Sequence, residues 1–108
     1  ANRARVDQAT AAVEAAAARY RQTVLGAFEE VENQLVALRI LQQQQGLREA
    51  AYRDAELVEQ QMTNRYRSGL VNYTEVVNAQ ASAANARRAL VTVQMDREVA
   101  AVALIQAL

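Results

Sequence analysis

The sequence has no cysteine, no histidine and no proline, only three glycines, and aromatic residues at just 5%. Each absence closes off a class of chemistry. Without cysteine there are no disulfides and no thiolate sites, which leaves the redox compartment open. Without histidine the usual proton shuttle and the commonest metal ligand are gone. Nucleophilic triads and zinc motifs fail for want of the same two residues. Gly26, Gly46 and Gly69 stand alone, so no glycine-rich loop cradles a phosphate. Charge of one sign is lacking as well. Twelve basic residues, all arginine, cancel twelve acidic ones, whereas a nucleic-acid partner calls for a basic surplus. No apolar run approaches the ~20 residues of a spanning helix, and no signal peptide is evident. The chain reads either as a soluble protein or as a piece excised from something larger.

What is present is alanine, in a chain of 108 residues that is 52% hydrophobic. A chain this long normally makes one domain. Alanine buries little area, so a compact globule built from it would have a thin core. Helices suit it far better: its helix propensity is the highest, and its small side chain lets neighbouring helices approach closely. The composition predicts an all-α fold of long helices packed side by side.

The punctuation of the chain falls in one place, Asn64 to Val76. Gly69 can take the left-handed conformation that closes a helix, with Arg65 and Arg67 in the preceding turn to offset the negative end of the dipole. Asn72 follows as an N-cap with Glu75 three residues on as its capping-box partner, and Val71 and Val76 are spaced as a hydrophobic staple. The signals predict a helix over about 3–67, a tip turn at 68–72 and a helix over about 73–107: a long antiparallel, coiled-coil-like helical hairpin.

At ~1.5 Å per residue the first arm would run ~100 Å. Val6, Val13, Tyr20, Val24, Val31, Leu35 and Leu38 form its main apolar stripe, with Leu25, Phe28, Val36 and Ile40 beside it. The Ala15–Ala18 run marks where helices pack closest. The weak point is Gln42–Gln45 followed by Gly46, because glutamine adds no apolar face and glycine costs roughly 1 kcal/mol inside a helix. The helix either continues there on a solvated or pore-facing surface or breaks into three; continuity is favoured, since no capping residue follows Gly46. On the second arm Val76, Ala79, Ala83, Ala86, Leu90 and Val93 form one stripe, and Val77, Ala81, Ala84, Val91, Met95 and Val102 a second. Two adjacent stripes call for neighbours on both flanks, which a lone hairpin does not provide. Self-association of the chain follows, through antiparallel pairing of hairpins.

No catalytic constellation stands out, and no cofactor or metal is called for. The densest carboxylate cluster, Glu29, Glu30 and Glu32, lacks the Glu-x-x-His pattern of a helical-bundle metal site and reads as a solvated face. The tip, by contrast, carries a resemblance. Arg65-Tyr66-x-x-Gly69 followed by Tyr73-x-x-Val76-x-x-Ala79-Gln80 resembles the periplasmic tip signature of outer membrane factors, the TolC-like exit ducts of tripartite efflux pumps. Tyr20 to Glu32 is similar to the start of that family's long descending helix, and Leu104 to Leu108 to the end of the ascending one.

The resemblance implies the second periplasmic hairpin of a Gram-negative outer membrane protein, part of a trimeric α-barrel that meets the membrane only through a β-barrel outside this sequence. It implies that the tip (Arg65, Tyr66, Gly69, Leu70, Val71 and Tyr73) docks a periplasmic adaptor protein, with Gly69 keeping the turn compact and Tyr66 holding the tip closed. Glu75 and Asn78 match positions where carboxylates face the narrow aperture. Asn78 departs from the commoner acid there, and Val71 stands where some members carry a gating arginine, so that salt link is not carried over. Plainer readings stay open: a helix C-cap for Gly69, seam packing for Tyr66, a capping box for Glu75. The competing function is a free-standing interaction protein, either an adaptor-type hairpin or a three-helix bundle broken at Gly46.

Overall fold

A computed structural model describes residues 1–108 as two antiparallel helices joined by a tight turn, α1 over Asn2–Arg67 and α2 over Tyr73–Ala107. The molecule is a rod of 100 × 17 × 15 Å with a radius of gyration of 27.7 Å. A compact bundle of this length would have a radius of gyration near ~13 Å. The three-helix alternative is therefore not what forms. α1 passes through Gly46 unbroken, because good helix formers flank it and nothing crowds its backbone.

One seam holds the rod together. On α2 one line of shielded positions runs through Val76, Ala79, Ala83, Ala86, Leu90, Val93, Arg97, Ala100 and Leu104, with half-buried Ala89, Ala101, Ala103 and Ala107 beside it. The line alternates threes and fours, the rhythm of a helix packed along a single line. On α1 the shielded positions Val31, Gln34, Leu38, Leu41, Gln45, Glu49, Tyr52, Ala55, Glu59 and Met62 keep the same phase. The two sets mirror each other in sequence about Gly69, so that Met62 corresponds to Val76, Ala55 to Ala83, and Leu38 to Ala100. The fully buried residues, Val76, Ala79, Ala83, Val93 and Ala100, all belong to α2, and none belongs to α1. Side-chain size explains the asymmetry: three of the five are alanine and two valine, short groups that disappear beneath the longer side chains of α1, which stay partly wet.

Two expectations shift. Leu35, assigned to the main stripe of α1, lies off the seam and is exposed, while Gln34 and Leu41 take the seam positions. Gln45 is half-buried in the seam rather than on a solvated face, because its amide finds partners there: it accepts from Arg97 at 3.0 Å and donates to Glu49 at 3.1 Å.

α2 spans little more than half the length of α1. The far end of α1 has no intrachain neighbour, and Val6, Val13, Tyr20, Leu25 and Phe28 are each more than three-fifths exposed. Helix propensity carries this arm; the Thr10 and Thr23 hydroxyls donate back to the carbonyls of Val6 and Arg19, which satisfies them without strengthening the helix.

Gly46 tests the continuity of α1. A Cβ there meets nothing within 4 Å, so Gly46→Ala should stabilise the hairpin by up to ~1 kcal/mol through backbone entropy alone. Urea unfolding followed by circular dichroism checks this. A loss of stability would mean that the helix bends at Gly46 in solution.

Candidate functional site

The tip is built by the way α1 stops. Ser68 keeps helical backbone angles and its N–H donates to the Asn64 carbonyl at 3.2 Å. Gly69 then turns to φ +75°, the left-handed region that other residues enter only at a cost. That reversal lets the Gly69 N–H reach the Tyr66 carbonyl at 3.0 Å and the Leu70 N–H reach the Arg65 carbonyl at 2.9 Å. The pair of bonds is a Schellman motif, and it satisfies two carbonyls the helix end would otherwise leave orphaned. Arg65 and Arg67 sit in this last turn, where their charge opposes the helix dipole.

The chain re-enters helix at Asn72, whose backbone is extended at φ −84°, ψ 167°. Here a correction is needed. No side chain caps α2, so the capping box drawn between Asn72 and Glu75 is not formed. The Glu75 N–H, the donor such a cap would take, is already given to the Asn72 carbonyl at 3.2 Å. Glu75 still places its negative charge in the first turn, where the dipole favours it. Val76 is 3% exposed and Val71 half-buried, so both staple positions are shielded from water.

Across the turn Tyr66 and Tyr73 meet edge to face, with ring centroids 5.3 Å apart and planes inclined by 61°. This T-shaped contact ties the last turn of α1 to the first residue of α2, and such pairs contribute ~0.5–1.5 kcal/mol beyond their area. Leu70 projects from the apex, 75% exposed. Arg65, Tyr66, Gly69, Leu70, Val71 and Tyr73 thus lie within one turn of the reversal, whereas Glu75 and Asn78 stand apart on α2.

Glu75 and Asn78 are exposed and three residues apart, hence on one face. Ser82, Asn85, Thr92 and Asp96, all exposed, continue the same line up the helix. This polar stripe escaped the sequence reading, which followed bulky apolar residues. The signal that would have found it is the recurrence of small polar residues at three- and four-residue steps. Along another flank Tyr52, Glu56, Glu59, Gln80 and Arg87 line a shallow groove floored by Ala83 and Ala84. Hydrogen bonding with the Glu56 carboxylate holds the Tyr52 phenol above its ordinary value, with desolvation adding to the effect and Arg87 opposing it.

No group of three or more acidic, histidine or cysteine side chains is arranged to hold a metal ion. No helix is long and apolar enough to cross a membrane. A family model described as outer membrane efflux protein matches residues 1–108. No curated protein and no solved structure matches the chain.

The turn yields two contrasting expectations. At Gly69 a Cβ meets no neighbour, so Gly69→Ala should cost only the left-handed backbone, about 1–2 kcal/mol, and Gly69→Asn clearly less. At Asn72 no cap bond exists to lose, so Asn72→Ala should fall well short of the ~1 kcal/mol typical of a working cap. Thermal unfolding of the three variants checks both, and an Asn72→Ala loss above that of Gly69→Ala would refute this account of the turn.

Proposed function

The chain belongs to the outer membrane efflux protein family, whose members are channel components and not enzymes, and from that premise we propose that this hairpin is the periplasmic tip segment of an export duct. Its two helices form part of a helical wall, assembled as a trimer in the full-length protein. The tip docks hairpins of a periplasmic adaptor protein, and the polar stripe of α2 lines the water-filled passage.

The observation that carries this reading is the division of the surface of α2. One apolar line, from Val76 to Leu104, is consumed by α1. Another remains open to water, with Val77, Val91, Met95 and Val102 each more than two-fifths exposed. A polar line containing Glu75, Asn78, Ser82 and Asn85 completes the circumference. A helix apolar along two lines and wet along a third fits a wall in which every helix has two neighbours and one face toward water. A hairpin that worked alone would leave the second apolar line as an exposed patch of the kind that drives association. The isolated chain accordingly self-associates.

At the tip, Leu70 offers apolar contact to the adaptor, and the Tyr66–Tyr73 pair keeps the turn compact. A ring of three Glu75 carboxylates, one from each protomer, favours cations at the aperture by the field argument that applies to charged channel rings.

Leu70 is the residue on which docking can be tested without disturbing the hairpin, because it is exposed and its side chain supports no bond. Leu70→Asp in the full-length protein should sharply reduce adaptor crosslinking and efflux while the trimer still forms. Undiminished crosslinking would remove the docking role. For the aperture, Glu75→Gln in reconstituted full-length trimers should lower cation preference in single-channel recordings, and an unchanged reversal potential would place Glu75 outside the passage.

A further inference from the structure

The seam between α1 and α2 carries polar side chains at several levels, Gln34 and Glu59 among them, but only one level is hydrogen-bonded from helix to helix. By symmetry about Gly69, Met62 corresponds to Val76 and Ala55 to Ala83 toward the tip, and Leu38 to Ala100 away from it. Between these, Arg97 Nη1 donates to Gln45 Oε1 at 3.0 Å, and Gln45 Nε2 donates to Glu49 Oε1 at 3.1 Å. The Arg97–Gln45 bond is the one side-chain hydrogen bond that passes from one helix to the other. All three residues are half-buried, and Gln45 and Arg97 border an open cleft.

Side-chain direction explains how they meet. Long side chains on a helix lean toward its N-terminus. Arg97 on α2 therefore leans toward the tip, and Gln45 on α1 leans away from it. The two converge although the residue that mirrors Arg97 about Gly69 is Leu41.

The layer differs in kind from its neighbours. An apolar layer gains by leaving water. A half-wet guanidinium–amide pair only exchanges hydrogen bonds with water for hydrogen bonds with protein, so its net gain is small. It gives the seam selectivity more than cohesion, because sliding the helices leaves the guanidinium without its acceptor. The fully buried residues are also unevenly divided. Val76, Ala79, Ala83 and Val93 lie on the tip side, where the turn ties the helices together, and of the five only Ala100 lies beyond, among half-buried Ala101, Ala103 and Leu104.

We infer that the Gln45–Glu49–Arg97 layer divides the hairpin into two cooperative units, and that the far part of α2 (98–107) opens from α1 without disturbing the tip unit. The tip keeps its shape while the upper half of the seam exchanges its partner. A short helix released from its neighbour is marginal in water, so the opening is visible in the amides of α2.

Native-state hydrogen exchange on the whole chain, residue by residue, tests this. Amides of residues 100–103 should exchange at one common level, at least ten-fold less protected than those of 83–90, with a step at Arg97. The double variant Gln45→Leu, Arg97→Leu should erase the step and raise the far amides at least ten-fold. Glu59→Leu is the control: it adds an apolar group within the tip unit and should leave the far amides unchanged. Protection that declines smoothly from tip to end would overturn the proposal. So would a step that survives the double variant, or a Glu59→Leu chain whose far amides gain as much.

Discussion

The hairpin depends on alanine at the seam of α2. Ala79, Ala83, Ala86 and Ala100 occupy positions where a larger residue would hold the helices apart, and three of them are buried outright. Each removes little apolar area from water, so the stabilisation per layer is small. The seam compensates by length, keeping its phase over the whole of α2. A thin contact of this sort tolerates no slip, because a shift of one residue would rotate every alanine out of the line. Register therefore has to be fixed at a point, and that point is the turn.

The turn fixes register through backbone bonds rather than side chains. Gly69 at φ +75° aims two N–H groups at the carbonyls of Tyr66 and Arg65, which sets where α1 ends to within a residue. α2 starts where Asn72 becomes extended, without help from its side chain. The aromatic contact of Tyr66 with Tyr73 then closes the apex from the side. The shielded positions of both helices are symmetric about Gly69 because one glycine conformation defines the origin for both. The same arrangement leaves Leu70, the most exposed of the large apolar side chains at the tip, without a bond to make.

The fold was legible in the sequence because its signals were local or strictly periodic. Gly69, its flanking arginines and the three-four spacing of alanine and valine on α2 each carry a physical instruction that needs no tertiary context. What was not legible involves polar atoms whose partners lie far along the chain. Gln45 reads as solvated because glutamine lacks an apolar face; only Arg97, brought up by the fold, makes its burial tolerable. Asn72 reads as a cap because its residue type and position are right, yet the carbonyl of the same residue takes the donor first. Leu35 reads as seam by bulk, although the true phase passes through Gln34 and Leu41. The tip cluster around Gly69 was visible from motif spacing. The polar stripe through Ser82, Asn85, Thr92 and Asp96 was not, since small polar residues carry little weight in a hydrophobic pattern.

The exposed surface completes the argument from packing to assembly. α1 carries Val6, Val13, Tyr20, Leu25 and Phe28 into water along an arm with no intrachain partner, and α2 carries Val77, Val91, Met95 and Val102. Single exposed apolar residues need no explanation, but rows at helical spacing do. Their directions differ from the α1–α2 seam. A rod with one internal seam and further apolar rows facing outward is what the proposed helical wall requires, since each row is a surface whose burial adds stabilisation only in contact with a neighbour.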